Sequence, residues 1–254
     1  MIFKNPRWLL TIFLLPAVVH AQQNETPAPL QIRAVLHDPV NPDAALFLSD
    51  QSGGIVKLEF RPQDLSRPQV TLAINASLVL YEKAVIDPKK PEASLAATCK
   101  IPPNTKRGVV VVFPGPAGSK PAYRLVFIDD SAKGFPKGES RVLTLLPVEA
   151  AIEAGEHKLA IHPGVIASVP PVMKLNEFNM AQTNFYYKQG EAWTVFTERQ
   201  LQFLEGFRRI FIIHTTPVAL QPMVTAIVDT ATDSQPCWRM MVTFRLAKYQ
   251  SETA

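Results

Sequence analysis

The stretch Val109-Val110-Val111-Val112-Phe113, followed by Pro114-Gly115-Pro116-Ala117-Gly118 and then Tyr123-Arg124-Leu125-Val126-Phe127-Ile128, reads as a strand, a turn and a second strand. β-Branched and aromatic side chains suit a pleated, packed surface. Two prolines and two glycines in five residues break any helix and reverse the chain. The same grammar extends upstream. Apolar runs at residues 45–48, 55–60, 70–74 and 78–81 are separated by Ser52-Gly53-Gly54, Arg61-Pro62 and Asp87-Pro88.

Downstream the alternation is clearer. Apolar side chains fall on every other position in residues 148–152 and at Leu159 and Ile161, before Pro163-Gly164. Residues 184–188 and 191–198 flank Gln189-Gly190, which predicts a hairpin with Trp193 and Val195 on one face. Residues 210–213 form a continuous apolar run, and residues 223–228 and 240–246 supply the last strands. The one helix candidate is residues 148–154, capped by Gly155, and seven residues are marginal for a helix on their own. The 23 prolines in 254 residues also argue against an all-helical chain.

The reading is therefore all-β with little helix, an antiparallel β-sandwich architecture of either one large sandwich or two in tandem. Residues 129–138, Asp-Asp-Ser-Ala-Lys-Gly-Phe-Pro-Lys-Gly, form a polar, turn-rich break. They divide a first half (residues 43–130) from a second (residues 139–248). Residues 22–42, with Pro27, Pro29, Pro39 and Pro42, read as a linker.

The N-terminus carries Lys4 and Arg7, an apolar run over residues 8–19, and Val19-His20-Ala21. This is the pattern of a signal peptide over residues 1–21, cleaved between Ala21 and Gln22. The run is shorter than the ~20 residues that span a bilayer, so no membrane span is expected after cleavage. Loss of Lys4 and Arg7 takes the balance from 26 basic against 22 acidic residues to 24 against 22. With no run of like charge, nucleic-acid binding is not expected. An exported chain with two cysteines can close one disulfide, here Cys99–Cys237. Two free buried thiols are the alternative.

The stretch Phe127-Ile-Asp-Asp-Ser-Ala-Lys-Gly-Phe-Pro-Lys-Gly-Glu-Ser-Arg-Val-Leu-Thr-Leu-Leu-Pro147, with the spaced Gly155 and Pro163-Gly164, resembles a pattern in exported bacterial β-sandwich proteins of no assigned activity. It covers about residues 120–215. The resemblance implies a sandwich fold and a periplasmic or extracellular location, and it brings no catalytic residues.

Sequence motifs of catalysis are lacking. Residues 114–121 contain glycines, Ser119 and Lys120 after a strand, but a phosphate loop needs Lys directly after the last Gly and a helix behind it. There is no Gly-x-Ser-x-Gly, His-Glu-x-x-His or Cys-x-x-Cys. His157 and His162 would point to opposite faces of a strand. Asp129-Asp130-Ser131 offers too few oxygens for calcium, and turn-forming aspartates explain it better. No catalytic, cofactor-binding or metal-binding residue and no cofactor is assigned.

The candidate ligand surface is Tyr186 and Tyr187, one of which alternation turns outward, whereas Trp193 is expected in the core. The expected function is a non-catalytic binding or structural module, with an envelope protein or a polysaccharide as partner. The alternative is a hydrolase of envelope or extracellular polymers built on Glu191, Glu198 and Asp229, which would have to converge in one pocket.

Overall fold

The computed structural model describes residues 28–215 and 221–230. Among the described residues, sixteen strands lie in four four-stranded sheets, and the helical content is a single 3-10 turn at Pro91–Ser94. The all-β reading holds. The first eight strands are β1 (Ala28–Leu36), β2 (Phe47–Ser49), β3 (Ile55–Lys57), β4 (Gln69–Ala73), β5 (Ser77–Tyr81), β6 (Leu95–Lys100), β7 (Arg107–Pro114) and β8 (Tyr123–Asp129). They form sheets of order β4-β1-β7-β8 and β3-β2-β5-β6. Alternate residues of both sheets, among them Leu30, Ile32, Ala34, Leu48, Leu78, Leu80, Val110 and Val112, fill the core between them.

The next eight are β9 (Ser140–Thr144), β10 (Ala150–Ala154), β11 (His157–Ile161), β12 (Ile166–Val169), β13 (Met180–Gln189), β14 (Ala192–Gln202), β15 (Arg208–His214) and β16 (Met223–Asp229). Their sheets have orders β12-β9-β15-β16 and β11-β10-β13-β14. Counted within each set of eight, the two orders are the same: 4-1-7-8 and 3-2-5-6. The molecule is thus a topological repeat of one eight-stranded sandwich.

The two sandwiches meet back to back. Val109, Val111 and Phe113 of β7 turn away from their own core and pack with Ile210 and Ile212 of β15, together with Val35, Ile128, Leu143 and Ile227. Sheets β4-β1-β7-β8 and β12-β9-β15-β16 are therefore covered on both faces. This accounts for the unbroken apolar runs of β7 and β15, since a strand buried on both sides has no polar face to alternate.

Some sequence expectations change. Residues 22–42, read as a linker, contain β1, the strand that joins both cores; its one proline, Pro29, lies near the start of the paired segment, where a ladder tolerates it. The antiparallel pattern is interrupted once per sandwich, by parallel pairs β1–β7 and β9–β15. Of the two readings of residues 148–154, the alternating strand holds and the helix candidate does not: Ala150, Ile152 and Ala154 of β10 enter the core while Gly155 turns the chain into β11. The last apolar run, residues 240–246, and the signal segment lie outside the described residues.

Candidate functional site

Among the described residues the β13–β14 hairpin is the longest, with strands of 10 and 11 residues, and β14 is an edge strand. Phe185 and Tyr187 of β13 face the core, where Phe185 packs on Phe211 and Tyr187 on Phe196. Alternation then sends Gln182, Asn184, Tyr186 and Lys188 to the opposite, outer face. Of the two candidate tyrosines, Tyr186 is the outward one and Tyr187 is core packing.

Trp193 was expected inside and lies outside, 44% exposed beside Val195 at 42%. The cause is a bulge. Thr197 pairs with Phe185 and Val195 pairs with Tyr186, so Phe196 is the extra residue. One inserted residue reverses the parity of everything beyond it. Phe196 takes the inward place, and Trp193 and Val195 turn out.

The outer face carries a polar ladder beside these apolar groups. Gln182 Nε2 donates to Asn184 Oδ1 at 2.7 Å, Asn184 Nδ2 to the Tyr186 hydroxyl at 3.4 Å, and that hydroxyl to Glu153 Oε2 at 2.8 Å. Lys158 Nζ lies 3.8 Å from Glu153 Oε2 and 5.7 Å from the centre of the Tyr186 ring. The hydrogen bond to Glu153 raises the Tyr186 pKa, with burial adding to it. The phenol therefore stays protonated and fixed in orientation. The arrangement offers exposed ring and methyl surface next to oriented amide, hydroxyl and carboxylate groups.

The carboxylates of the hydrolase alternative are not brought together. Glu191 lies in the β13–β14 turn and Glu198 is an exposed residue of β14 seven positions on, which on a strand is about 23 Å at 3.3 Å per residue. Asp229 is 4% exposed and held between the sandwiches by two arginines. Arg33 donates to both of its oxygens, at 2.7 and 2.8 Å, and Arg208 Nε donates at 3.0 Å. The same two arginines hold Asp130, at 3.1 Å from Arg33 Nη2 and 2.7 Å from Arg208 Nη2. Burial alone would lower the Arg33 pKa, but its bonds to Asp229 and Asp130 raise it instead. Asp130 is thus a structural counter-ion, and Asp129 accepts from the Ser131 amide and hydroxyl as a turn former.

Cys99 lies in β6, half-buried against the first core, and burial pushes its thiol up to about 11. Cys237 falls outside the described residues. Among the described residues no cluster of three or more His, Cys, Asp and Glu side chains could hold a metal ion. Among them, too, no helix is long and apolar enough to cross a membrane.

Sequence reasoning missed two features that need the folded chain. One is the Arg33–Asp130–Arg208–Asp229 network, whose members lie far apart in the sequence. The other is a pair of histidines, His37 and His214, from opposite halves of the chain, with ring centroids 4.2 Å apart.

No family model matches this chain, and no curated protein does. Among solved structures, it is similar to a "putative cell adhesion protein" from Bacteroides uniformis, with 10% identity and a TM-score of 0.18 over 83% of this chain and 100% of the other. A similarity of that size does not establish a common fold.

Proposed function

We propose that this chain is an exported, non-catalytic binding protein that takes polysaccharide on the outer face of its β11-β10-β13-β14 sheet. One observation carries the reading: exposed Trp193 and Val195 stand beside the hydrogen-bonded Gln182–Asn184–Tyr186–Glu153 ladder. A sugar presents an apolar C–H face and a rim of hydroxyls. An amphipathic aromatic platform meets the first. Oriented amide and carboxylate groups meet the second, because they donate and accept at fixed positions. The face lies on a long, solvated hairpin, so a polymer can run across it without entering a pocket.

Export rests on Lys4, Arg7, the apolar residues 8–19 and the small residues at Val19 and Ala21. The mature protein then meets polymers in the periplasm or outside the cell.

Affinity electrophoresis of the mature protein through gels containing neutral and acidic polysaccharides tests this. Retardation by at least one polymer is expected, and it should be lost in Trp193→Ala. Free migration in every gel, with an envelope protein recovered by pull-down on the same face, would replace polysaccharide by protein as the partner.

A further inference from the structure

The sandwiches are joined along β1 and β15, and the joint has two chemically different ends. One end is the Arg33–Asp130–Arg208–Asp229 network. At the other, His37 follows directly on β1 and His214 ends β15, their rings in an edge-to-face arrangement with an interplanar angle of 65°. They line a cleft of about 750 Å³ at the junction, shared with Asp38, Arg61, Thr225 and Ile227.

We propose that the His37–His214 pair is an acid-operated latch: protonation of the two imidazoles separates the ends of β1 and β15 and opens the cleft, while the arginine–aspartate network holds the far end.

The geometry supplies the mechanism. Two neutral imidazoles pack edge to face, but two imidazolium ions at 4.2 Å repel strongly in a partly dry joint. The surroundings do little to neutralise them. His214 faces the Thr225 hydroxyl at 3.0 Å and the Thr215 carbonyl at 3.3 Å, and His37 Nε2 is buried without a hydrogen-bond partner. From the loop after β1, Asp38 and Asp43 reach the cleft; from the end of β3 and the segment after it, Lys57, Glu59 and Arg61; from β16, only the non-titrating Thr225 and Ile227. Asp38 is next to His37 and favours its proton, but its carboxylate already accepts from the Val40 and Asn41 amides and the Tyr123 hydroxyl. Burial and then the His214 charge push His37 down to about 4, and burial lowers His214. Both are therefore neutral at pH 7 and take up protons only in acid.

Small-angle scattering of the mature protein between pH 7.5 and 3.5, with far-UV circular dichroism at each point, tests the latch. The radius of gyration should rise reversibly while the β spectrum is unchanged. His37→Phe, which keeps a ring, and His214→Gln, which keeps a polar group near Thr225, should each remove the rise. A rise that persists in both variants would assign the opening to groups other than these histidines and overturn the latch. An unchanged radius in the unaltered protein would overturn it too. Should either variant fail to fold, histidine NMR titration of the unaltered protein decides: two depressed titrations sustain the proposal, and two at the free value of about 6.5 defeat it.

Discussion

The two sandwiches share a strand order and differ in what they do with equivalent positions. Pairing places Arg33 opposite Val109 in the first sandwich and Arg141 opposite Ile210 in the second, so the two arginines correspond. Arg33 reaches across the joint to aspartates of both sandwiches. Arg141 stays at home: it bonds Glu139 at 2.6 Å and the Gly134 carbonyl, and lies 4.7 Å from the Phe135 ring centre. Arg107 with Asp130, and Arg208 with Asp229, likewise correspond, but the first pair is 3.7 Å apart with Arg107 half exposed while Arg208 is buried. The central sheets, packed on both faces, have kept apolar strands of one pattern. The outer sheets are free to diverge: β5 and β6 are five and six residues long where the corresponding β13 and β14 are ten and eleven.

The asymmetry in the arginines is the first thing to break. Asp229→Ala leaves Arg33 and Arg208 short of a buried counter-ion, and removing one partner of such a pair costs about 3–5 kcal/mol. Glu139→Ala removes the corresponding carboxylate from Arg141, which keeps the Gly134 carbonyl and the Phe135 ring, so about 1 kcal/mol is expected. Urea unfolding of both variants measures the difference. Equal losses would mean that the joint is not held by the cross-sandwich network.

A second contrast lies one residue along β7. Gly108 corresponds to Arg209, whose guanidinium stands 5.0 Å from the Phe203 ring centre. In the first sandwich the Phe127 ring fills that space, and a Cβ on Gly108 would meet it at 2.2 Å. Gly108→Ala should therefore destabilise by about 1–3 kcal/mol, the usual range for an overpacked core. A shift in the denaturant midpoint below 0.5 kcal/mol would show that Phe127 has room to move.

The third prediction concerns pH. A histidine with a folded pKa below its ordinary 6.5 is held neutral by folding, so the unfolded chain binds more protons between the two values. Stability is then fully present above about pH 6.5 and falls as the pH drops toward about 4, the value of His37. Discounted for its partial exposure, the loss from His37 is about 1–2 kcal/mol. Thermal melts from pH 7 to 4.5 should show it, and His37→Phe should flatten that slope. An unchanged slope would move the acid sensitivity to the carboxylates.

The sequence shows some of this directly and withholds the rest for identifiable reasons. Alternation at Ala150, Ile152 and Ala154, and turn chemistry at Gln189-Gly190, are local, and they made the all-β class legible. β1 was hidden because Pro29 stands within its first residues, Pro39 follows soon after its end, and no local signal marks a strand that pairs with β4 and β7 about 40 and 75 residues away. That one of Tyr186 and Tyr187 faces outward was legible because adjacent strand residues must face opposite ways. Trp193 was misplaced because a bulge costs one residue and leaves no mark in composition. The His37–His214 pair and the Arg33–Asp229 bond join residues from opposite ends of the chain, where spacing says nothing about distance.

Trp193 gives the smallest stability change and the sharpest functional one. Its side chain is 44% exposed on a solvated face, so Trp193→Ala should alter stability by no more than about 0.5 kcal/mol. Its inward neighbour Phe196, packed on Phe185 and Tyr187, should cost several times more on the same change, since it removes core contacts. The pair separates the bulge from the alternative in which Trp193 is the core residue. If Trp193→Ala were the more damaging of the two, the parity of β14 would be reversed, the aromatic group would face inward, and the outer face would lose the platform on which polysaccharide binding depends. If Phe196→Ala is the damaging one and Trp193→Ala melts like the parent, loss of retardation in a polysaccharide gel reports on recognition alone, because the scaffold presenting the face is intact.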